Sequence, residues 1–476
     1  MTKTLVILHR WLGIGFCLLF AMWFASGIVM HFVPFPQLAE AERFAGLLPI
    51  DMPQVRHGPN EAVAASDAAA LRVRLLQRVD GPVYITSGLA KPVALRAADL
   101  SDASVKSEQL ALAIAQAHAR QSGIDASRAV LVGVADYDQW SVPNGFDKHR
   151  PLYRVALNDS ASTELYVSST TGEVVLATRR GERAWNYVGS VVHWIYPTIL
   201  RSNWAAWDKT VWMLSLLALI AAVTGIALGV LRLQVSRRGL GSPFRGWHAW
   251  HHILGLFTAT FVLSWIFSGW LSMDHGLLFS RGQLSAAEAV NIAVTPNWGV
   301  LVGNQRLIKA PVKQVEWFAL GERFYRREQA SLDAQSLFAI GSSTENPQAA
   351  EPFLNVQEVE TFVRRITPDC AVPVIVAAHD SYAVSSLMTA APVYRSICGD
   401  VWLHVDGATG AMLERLDSSR RSYRWLYTGL HTLDFPILLD YPLFRTALIV
   451  ALCALGFGFS VTGAVIGWRR LRLQFS

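Results

Sequence analysis

The sequence repeats itself once over its whole length, and histidines recur at matching points of the two copies. His9-Arg10-Trp11-Leu12-Gly13 opens an apolar run that passes through Ser26-Gly27. His251-His252-Ile253-Leu254-Gly255 opens another that passes through Ser268-Gly269. Val223-Thr224-Gly225 leads to Arg232-Leu233-Gln234, and Val461-Thr462-Gly463 leads to Arg472-Leu473-Gln474. Between these, His193 with Pro197 answers His431 with Pro436. The offset is about 238 to 242 residues, half of the chain.

The apolar runs decide the class. Hydrophobic residues make up 52% of the chain and charged residues 16%, against about a quarter charged in an ordinary soluble domain. Four runs reach the roughly 20 residues that cross a bilayer: 5–32, 211–231, 248–275 with its apolar part at 253–273, and 443–468. The first has no small-residue cleavage site after a short apolar core, and reads as an uncleaved signal anchor. The connection 232–247 carries Arg232, Arg237, Arg238 and Arg245 and no acid, and the tail carries Arg469, Arg470 and Arg472. Cytoplasmic loops collect such residues. Both termini are therefore expected in the cytoplasm, and the segments 33–209 and 276–442 outside, in the periplasm of a bacterial inner membrane. The net charge of +6 belongs to this topological signal and not to nucleic-acid binding.

Each outside segment mixes strand and helix signals. The first has strands at Val83-Tyr84-Ile85-Thr86 and 129–135, a helical pattern over Glu108–Gln121, and a terminal hairpin turning at Thr171-Gly172. The second repeats the ending, with Val393-Tyr394-Arg395, Trp402-Leu403-His404-Val405 and a turn at Thr409-Gly410. Two α+β domains are expected, each a small antiparallel sheet with a helix on one face. Cys370 and Cys398 share the second segment, and an oxidising compartment favours their disulfide. Cys17 and Cys453 lie in spans as apolar packing.

An ionisable residue in or beside a span is costly and points to function. Histidine is the common axial ligand of electron-transfer haem, and bundles place such ligands on facing helices. His9 and His251 align at the inner ends of spans one and three, with His248 and His252 as competitors. His31 and His275 lie at similar depth at the outer ends. His193 and His431 align about a dozen residues before spans two and four, in the proline- and aromatic-rich segments 194–207 and 432–441. Two schemes follow. One places a haem at each end of the bundle; the other clusters two haems in the outer half, each taking one span-end and one pre-span histidine. His118, His149, His379 and His404 show no ligand spacing and read as structural. Trp23, Trp265 and Trp270 lie deep enough to pack on a porphyrin. No Cys-x-x-Cys-His is present, so two b-type haems are expected. No nucleotide or flavin motif appears, so electrons are expected from a separate donor, a quinol or a cytoplasmic reductase.

These residues also carry a resemblance. "LYVSSTTGEVV" at 165–175 and "LHVDGATGAML" at 403–413 resemble the end of a PepSY domain. "LHRWLG" at 8–13, and a histidine ahead of a helix ending in "VTG…LRLQ", resemble the PepSY-associated transmembrane family. Within that family the chain is similar to the ferric-siderophore reductases of the inner membrane. The resemblance implies a four-span, di-haem protein that passes electrons to ferrioxamine-like hydroxamate siderophores and releases Fe(II). Asp274, Asp434 and Asp440, with Tyr196, Phe435 and Tyr441, are the candidate mouth for such a ligand. The competing readings are a non-redox permease or accessory protein of siderophore uptake, and a PepSY module that binds proteins. A reducible haem spectrum separates them.

Overall fold

The computed structural model describes residues 2–66, 70–88, 90–236, 239–292, 296–308, 311–341, 351–377, 380–382 and 391–475. Arg237, Arg238 and His379 lie outside the described residues. The long helices are α1 (Thr2–Phe32), α2 (Glu108–Gln121), α3 (Trp204–Arg232), α4 (Trp247–Met273), α5 (Val356–Ile366) and α6 (Pro442–Phe475). The chain divides into two compact units. One is Met1–Phe35, Glu182–Arg281 and Ser419–Ser476; the other is Pro36–Gly181 and Gly282–Ser418.

The first unit is a four-helix bundle. Helices α1, α3, α4 and α6 are the four candidate spans, at Lys3–Phe32, Trp204–Arg232, Trp247–Met273 and Pro442–Gln474. They are the four expected spans, extended at their ends. Each is apolar on every side, as a helix facing lipid on one flank and protein on the other must be. Leu18, Phe257 and Leu443 point out of the bundle, while Phe20, Phe24, Ala218, Ala221, Val262, Ile266, Ile449 and Cys453 form its core. Helix α1 packs on α3 and α6, and α4 packs on the same two, so α1 and α4 face each other diagonally. Small residues permit this closeness: a Cβ at Gly456 would lie 2.6 Å from the Phe24 ring. The Asn203 side chain caps the start of α3 by accepting from the Ala206 N–H.

The second unit is built on sheets. From the first segment come β1 (Ala70–Arg78), β2 (Gly81–Gly88), β3 (Val93–Arg96), β4 (Val130–Ala135), β5 (Leu152–Ala156), β6 (Glu164–Ser168) and β7 (Val174–Thr178). A small hairpin, β8 (Gln234–Ser236) and β9 (Gly239–Gly241), belongs to the connection between α3 and α4. From the second segment come β10 (Gln314–Leu320), β11 (Arg323–Gln329), β12 (Gln335–Ile340), β13 (Val374–Ile375), β14 (Val393–Cys398), β15 (Val401–Asp406) and β16 (Met412–Leu416). The helix and hairpins expected from the sequence are present. Helix α2 begins at its Ser107 cap and buries Ala111, Ile114, Ala115 and Ala119 on the sheet β4-β5-β6-β7. Helix α5 begins with an Asn355–Glu358 capping box and buries Val359, Val363 and Ile366 on the sheet β13-β14-β15-β16. Cys370 and Cys398 are joined as a disulfide.

The expectation of two separate outside domains needs correction. A third sheet, ordered β12-β11-β10-β1-β2-β3, takes three strands from each segment, with β1 antiparallel to β10. Its core is shared: Val73, Leu75, Tyr84 and Leu95 of the first segment pack with Trp298, Leu301, Val315, Trp317 and Phe324 of the second. The joining strands are poor in the usual strand signal because they bury ion pairs. Arg72 and Arg327 reach Glu316 at 3.0 and 3.6 Å, and Arg326, only 2% exposed, pairs with Glu328 at 2.7 Å. Buried charge is tolerated when paired in this way.

Candidate functional site: two histidine pairs

The bundle brings four of the six candidate histidines together in two pairs. The rings of His9 on α1 and His251 on α4 have centroids 6.4 Å apart. Those of His193 and His431 are 6.2 Å apart. Each pair takes one residue from each half of the chain. The first pair lies at the end of the bundle that carries the termini. The second rests on Ser26 of α1 and Ser268 of α4, at the end from which the chain leaves for the sheet unit. From His9 to Ser26 is 17 residues of helix, about 25 Å at 1.5 Å per residue.

All four rings are held the same way. Ser26 Oγ lies 2.9 Å from His193 Nδ1, and its own O–H is spent on the Met22 carbonyl at 2.6 Å. The serine oxygen therefore accepts, and His193 Nδ1–H donates. Ser268 Oγ accepts from His431 Nδ1–H at 3.1 Å while donating to the Trp265 carbonyl. Thr462 Oγ1 accepts from His251 Nδ1–H at 2.9 Å while donating to the Phe459 carbonyl at 2.6 Å. His9 Nδ1–H donates to the Ala221 carbonyl at 3.1 Å, with Thr224 Oγ1 at 3.4 Å. In each ring the network puts the proton on Nδ1 and leaves the Nε2 lone pair bare. That is the tautomer a metal-binding imidazole needs.

A glycine follows each hydroxyl, and the imidazole lies against it. A Cβ at Gly225 would sit 2.6 Å from His9 Cε1, one at Gly463 3.4 Å from His251 Cε1, and one at Gly269 3.4 Å from His431 Cε1. At Gly27 the distance to His193 Cε1 is 3.7 Å. Thus the repeated Ser-Gly and Thr-Gly dipeptides are four seats for four histidines. In the sequence alone these dipeptides only mark matching points of the two halves. The missing signal was that a hydroxyl beside a glycine in a span both fixes a ring nitrogen and makes room for the ring.

The segments carrying His193 and His431 are also built alike. Each contains a widened helical turn, at Tyr187–Val191 and Arg424–Gly429. Each then passes through a residue with φ of +50°, Ile195 in one and Leu433 in the other. Trp207 Nε1 donates to the carbonyls of Trp194 and Ile195 at 3.0 and 3.1 Å. At the matching place Arg445 donates to the carbonyls of Thr432 and Leu433 at 2.7 and 3.1 Å. Trp23 Nε1 adds a bond to the His193 carbonyl at 2.9 Å. Between the two pairs the diagonal gap is filled by rings, with Phe24 6.0 Å from Trp265 and 6.5 Å from Phe261.

The remaining candidates stand apart from these pairs. His31 Nε2 meets Thr446 Oγ1 at 2.9 Å, and His275 Nδ1 meets Asp208 Oδ2 at 2.5 Å; neither ring faces another histidine among the described residues. His252 is buried with both nitrogens engaged, by Ser242 Oγ and by the Gly229 carbonyl, each at 2.9 Å. His248 is exposed. His404 is buried between Arg395 and Glu414. Two mouth residues are misassigned by sequence. Asp274 is 3% exposed because its carboxylate accepts from the Leu278 and Phe279 N–H groups, and Tyr196 is 6% exposed beneath Arg201 and Trp207.

Each pair has the separation of two imidazoles that would hold one iron between them. With a metal–imidazole bond of about 2.0 Å, and a ring centre roughly 1.1 Å behind its nitrogen, two such rings stand about 6.3 Å apart. Among the described residues no cluster of three or more His, Cys, Asp or Glu suits a bare metal ion; axial ligation of a haem asks the protein for two. Buried polar atoms add to the fit. Thr258, two helical turns from His251 on the same face of α4, is fully buried, and its hydroxyl has no partner among the described residues.

The model of the PepSY-associated transmembrane region matches residues 6–470. The chain belongs to this family. No curated protein matches the chain. The match runs across both units of this PepSY-associated transmembrane protein, so bundle and sheets belong to one family architecture.

Proposed function

We propose that this PepSY-associated transmembrane protein is a di-haem b-type oxidoreductase of the bacterial inner membrane, reducing ferric hydroxamate siderophores in the periplasm. The observation that carries the reading is the pair of matched imidazole couples, each ring with Nδ1–H fixed and Nε2 bare. His9 and His251 hold the inner haem, and His193 and His431 the outer one. The haems, when bound, supply one-electron exchange between the two faces of the membrane. The protein's own residues do the rest. Ser26, Ser268, Thr462 and the Ala221 carbonyl orient the ligands and raise their basicity. The aromatic rings of Phe24, Phe261 and Trp265 exclude water between the sites. Arginines in the α3–α4 connection and the tail fix the termini inside. The matched seats, turns and clamps support an internal duplication whose two copies meet at the haem sites.

Hydroxamate oxygens hold hard Fe(III) far better than Fe(II), so one electron loosens the iron. The donor is a quinol or a cytoplasmic reductase. The test is a spectrum. Purified protein is expected to carry two b-type haems per chain with reducible Soret bands, and to re-oxidise anaerobically with ferric trihydroxamate as Fe(II) appears. Colourless protein from cells with adequate haem rejects the reading.

A further inference from the structure

The two copies differ at the end of the bundle beside the His193–His431 pair. Asp208 of α3 and Thr446 of α6 occupy matching repeat positions, and each receives a histidine from the diagonal pair of helices. Thr446 meets His31, and Asp208 meets His275. Only one of these two couples contains an acid. The Asp208 carboxylate binds His275 Nδ1 at 2.5 Å, which leaves Nε2 as the ring's unspent nitrogen. The imidazole is 36% exposed while the carboxylate is 14% exposed, so the ring is reachable and its partner is sheltered. Trp212 supports the ring at 5.4 Å.

The other charged and titratable groups nearby are committed. Asp274 caps the turn that follows α4, and Arg281 Nη2 donates to the Asp274 carbonyl at 3.1 Å. The Tyr423 hydroxyl donates to the Ser272 carbonyl at 3.3 Å. Lys209, beside Asp208, is exposed. Asp208 is thus the carboxylate that reaches the ring. A carboxylate behind Nδ1–H, on a ring that is itself reachable and keeps Nε2 unspent, is the arrangement that makes histidine an effective proton donor and acceptor.

We infer that His275 is the general acid of ferric hydroxamate reduction and that Asp208 is its positioning residue; this rests on the reductase reading above. The step balances. The reduced protein gives one electron to the complex, and Fe(III) becomes Fe(II). His275 acts as imidazolium, with Nδ1–H held by Asp208: its Nε2–H gives a proton to a hydroxamate oxygen, the iron–oxygen bond breaks, an O–H bond forms, and the ring is left neutral. Water returns a proton to the imidazole. Protonation keeps the released oxygen from closing on the iron again.

The experiment uses dithionite-reduced, haem-loaded protein in anaerobic stopped flow, with ferric trihydroxamate or ferricyanide as oxidant, from pH 5 to 8.5. Ferricyanide takes an electron without a proton. His275→Gln is expected to slow oxidation by ferric trihydroxamate at least ~10-fold, the low end for general acid catalysis, and to flatten its pH profile. Asp208→Asn is expected to slow it less. Both variants should keep wild-type haem content, spectra and ferricyanide rate. A second readout needs no turnover: gallium(III) trihydroxamate, which cannot be reduced, should protect His275 from acylation by diethyl pyrocarbonate, read by peptide mass mapping. Wild-type rates and profiles in both variants, or no protection by gallium trihydroxamate, overturn the proposal. Wild-type protein oxidised by ferricyanide but not by ferric trihydroxamate instead removes the substrate reading itself, and this proposal with it.

Discussion

In the helical unit, His9, His193, His251 and His431 each donate Nδ1–H to a neighbour and keep Nε2 bare. In the sheet unit, buried histidines do the opposite. His404 is locked between Arg395 and Glu414. His118, 9% exposed, lies so close to Gly46 that a Cβ there would fall 2.1 Å from its ring, and burial pushes its pKa down to about 4. One unit leaves a ring lone pair bare; the other uses the ring as packing. Burial alone does not distinguish the two uses. What distinguishes them is whether one nitrogen is tied, the other left bare, and a second histidine ring stands close by.

The sharpest way to break this contrast is to remove rings. On the di-haem proposal, His193→Ala or His431→Ala is expected to lower haem from two per chain to one, measured by pyridine haemochrome, whereas His118→Ala should leave haem unchanged. Equal haem in all three variants ends the distinction. Next in size is the covalent staple of the sheet unit. Reducing Cys370–Cys398, which closes a 28-residue separation, is expected to cost that unit about 3–4 kcal/mol. Denaturant melts with and without reductant should show the loss while the haem spectrum holds.

A pH titration of unfolding sharpens the contrast further. His118 is neutral when folded, with its pKa below the ordinary 6.5, so the unfolded chain binds more protons between the two values. Its stabilising contribution is full above pH 6.5 and is lost as the pH falls toward 4, by about 3 kcal/mol for a group so buried. Burial pushes His149 down to about 4 as well, which adds in the same direction. His118→Gln should flatten that slope; an unchanged slope refutes the assignment. The smallest effect expected is at a seat. Ser26→Ala removes the acceptor for His193 Nδ1–H and should weaken haem retention about 10- to 100-fold and shift one reduction potential. Identical potentials and retention would make the hydroxyl incidental.

Much of the bundle was legible in the sequence because its physics is local. A span needs only length and apolarity, and the repeat put His9 with His251 and His193 with His431. The choice between a haem at each end and two in the outer half was not legible, since it turns on which rings meet across a diagonal. His31 and His275 looked equivalent to the others by depth; only their contacts with Thr446 and Asp208 separate them. The shared sheet was hidden for a different reason. Arg72, Glu316, Arg326 and Glu328 read as solvated positions, yet Glu316 is buried against an arginine from far away in the chain, and Arg326 is buried against Glu328 two residues on. Alternation of apolar and polar residues reports a half-buried strand, not one whose polar face is also covered.

The pairing of β1 with β10 sets a timetable for biogenesis. Arg74 lies opposite Glu316, about 240 residues later, which at 5–20 residues per second is about 12–50 s of synthesis. Two further candidate spans, α3 and α4, must leave the ribosome in that interval. Throughout it, β1 has β2 on one side and an open row of N–H and C=O groups on the other, a template for any passing strand. A chain stopped after its first half would carry that open edge permanently. The pace of translation between β1 and β10 therefore sets how long that edge stays open.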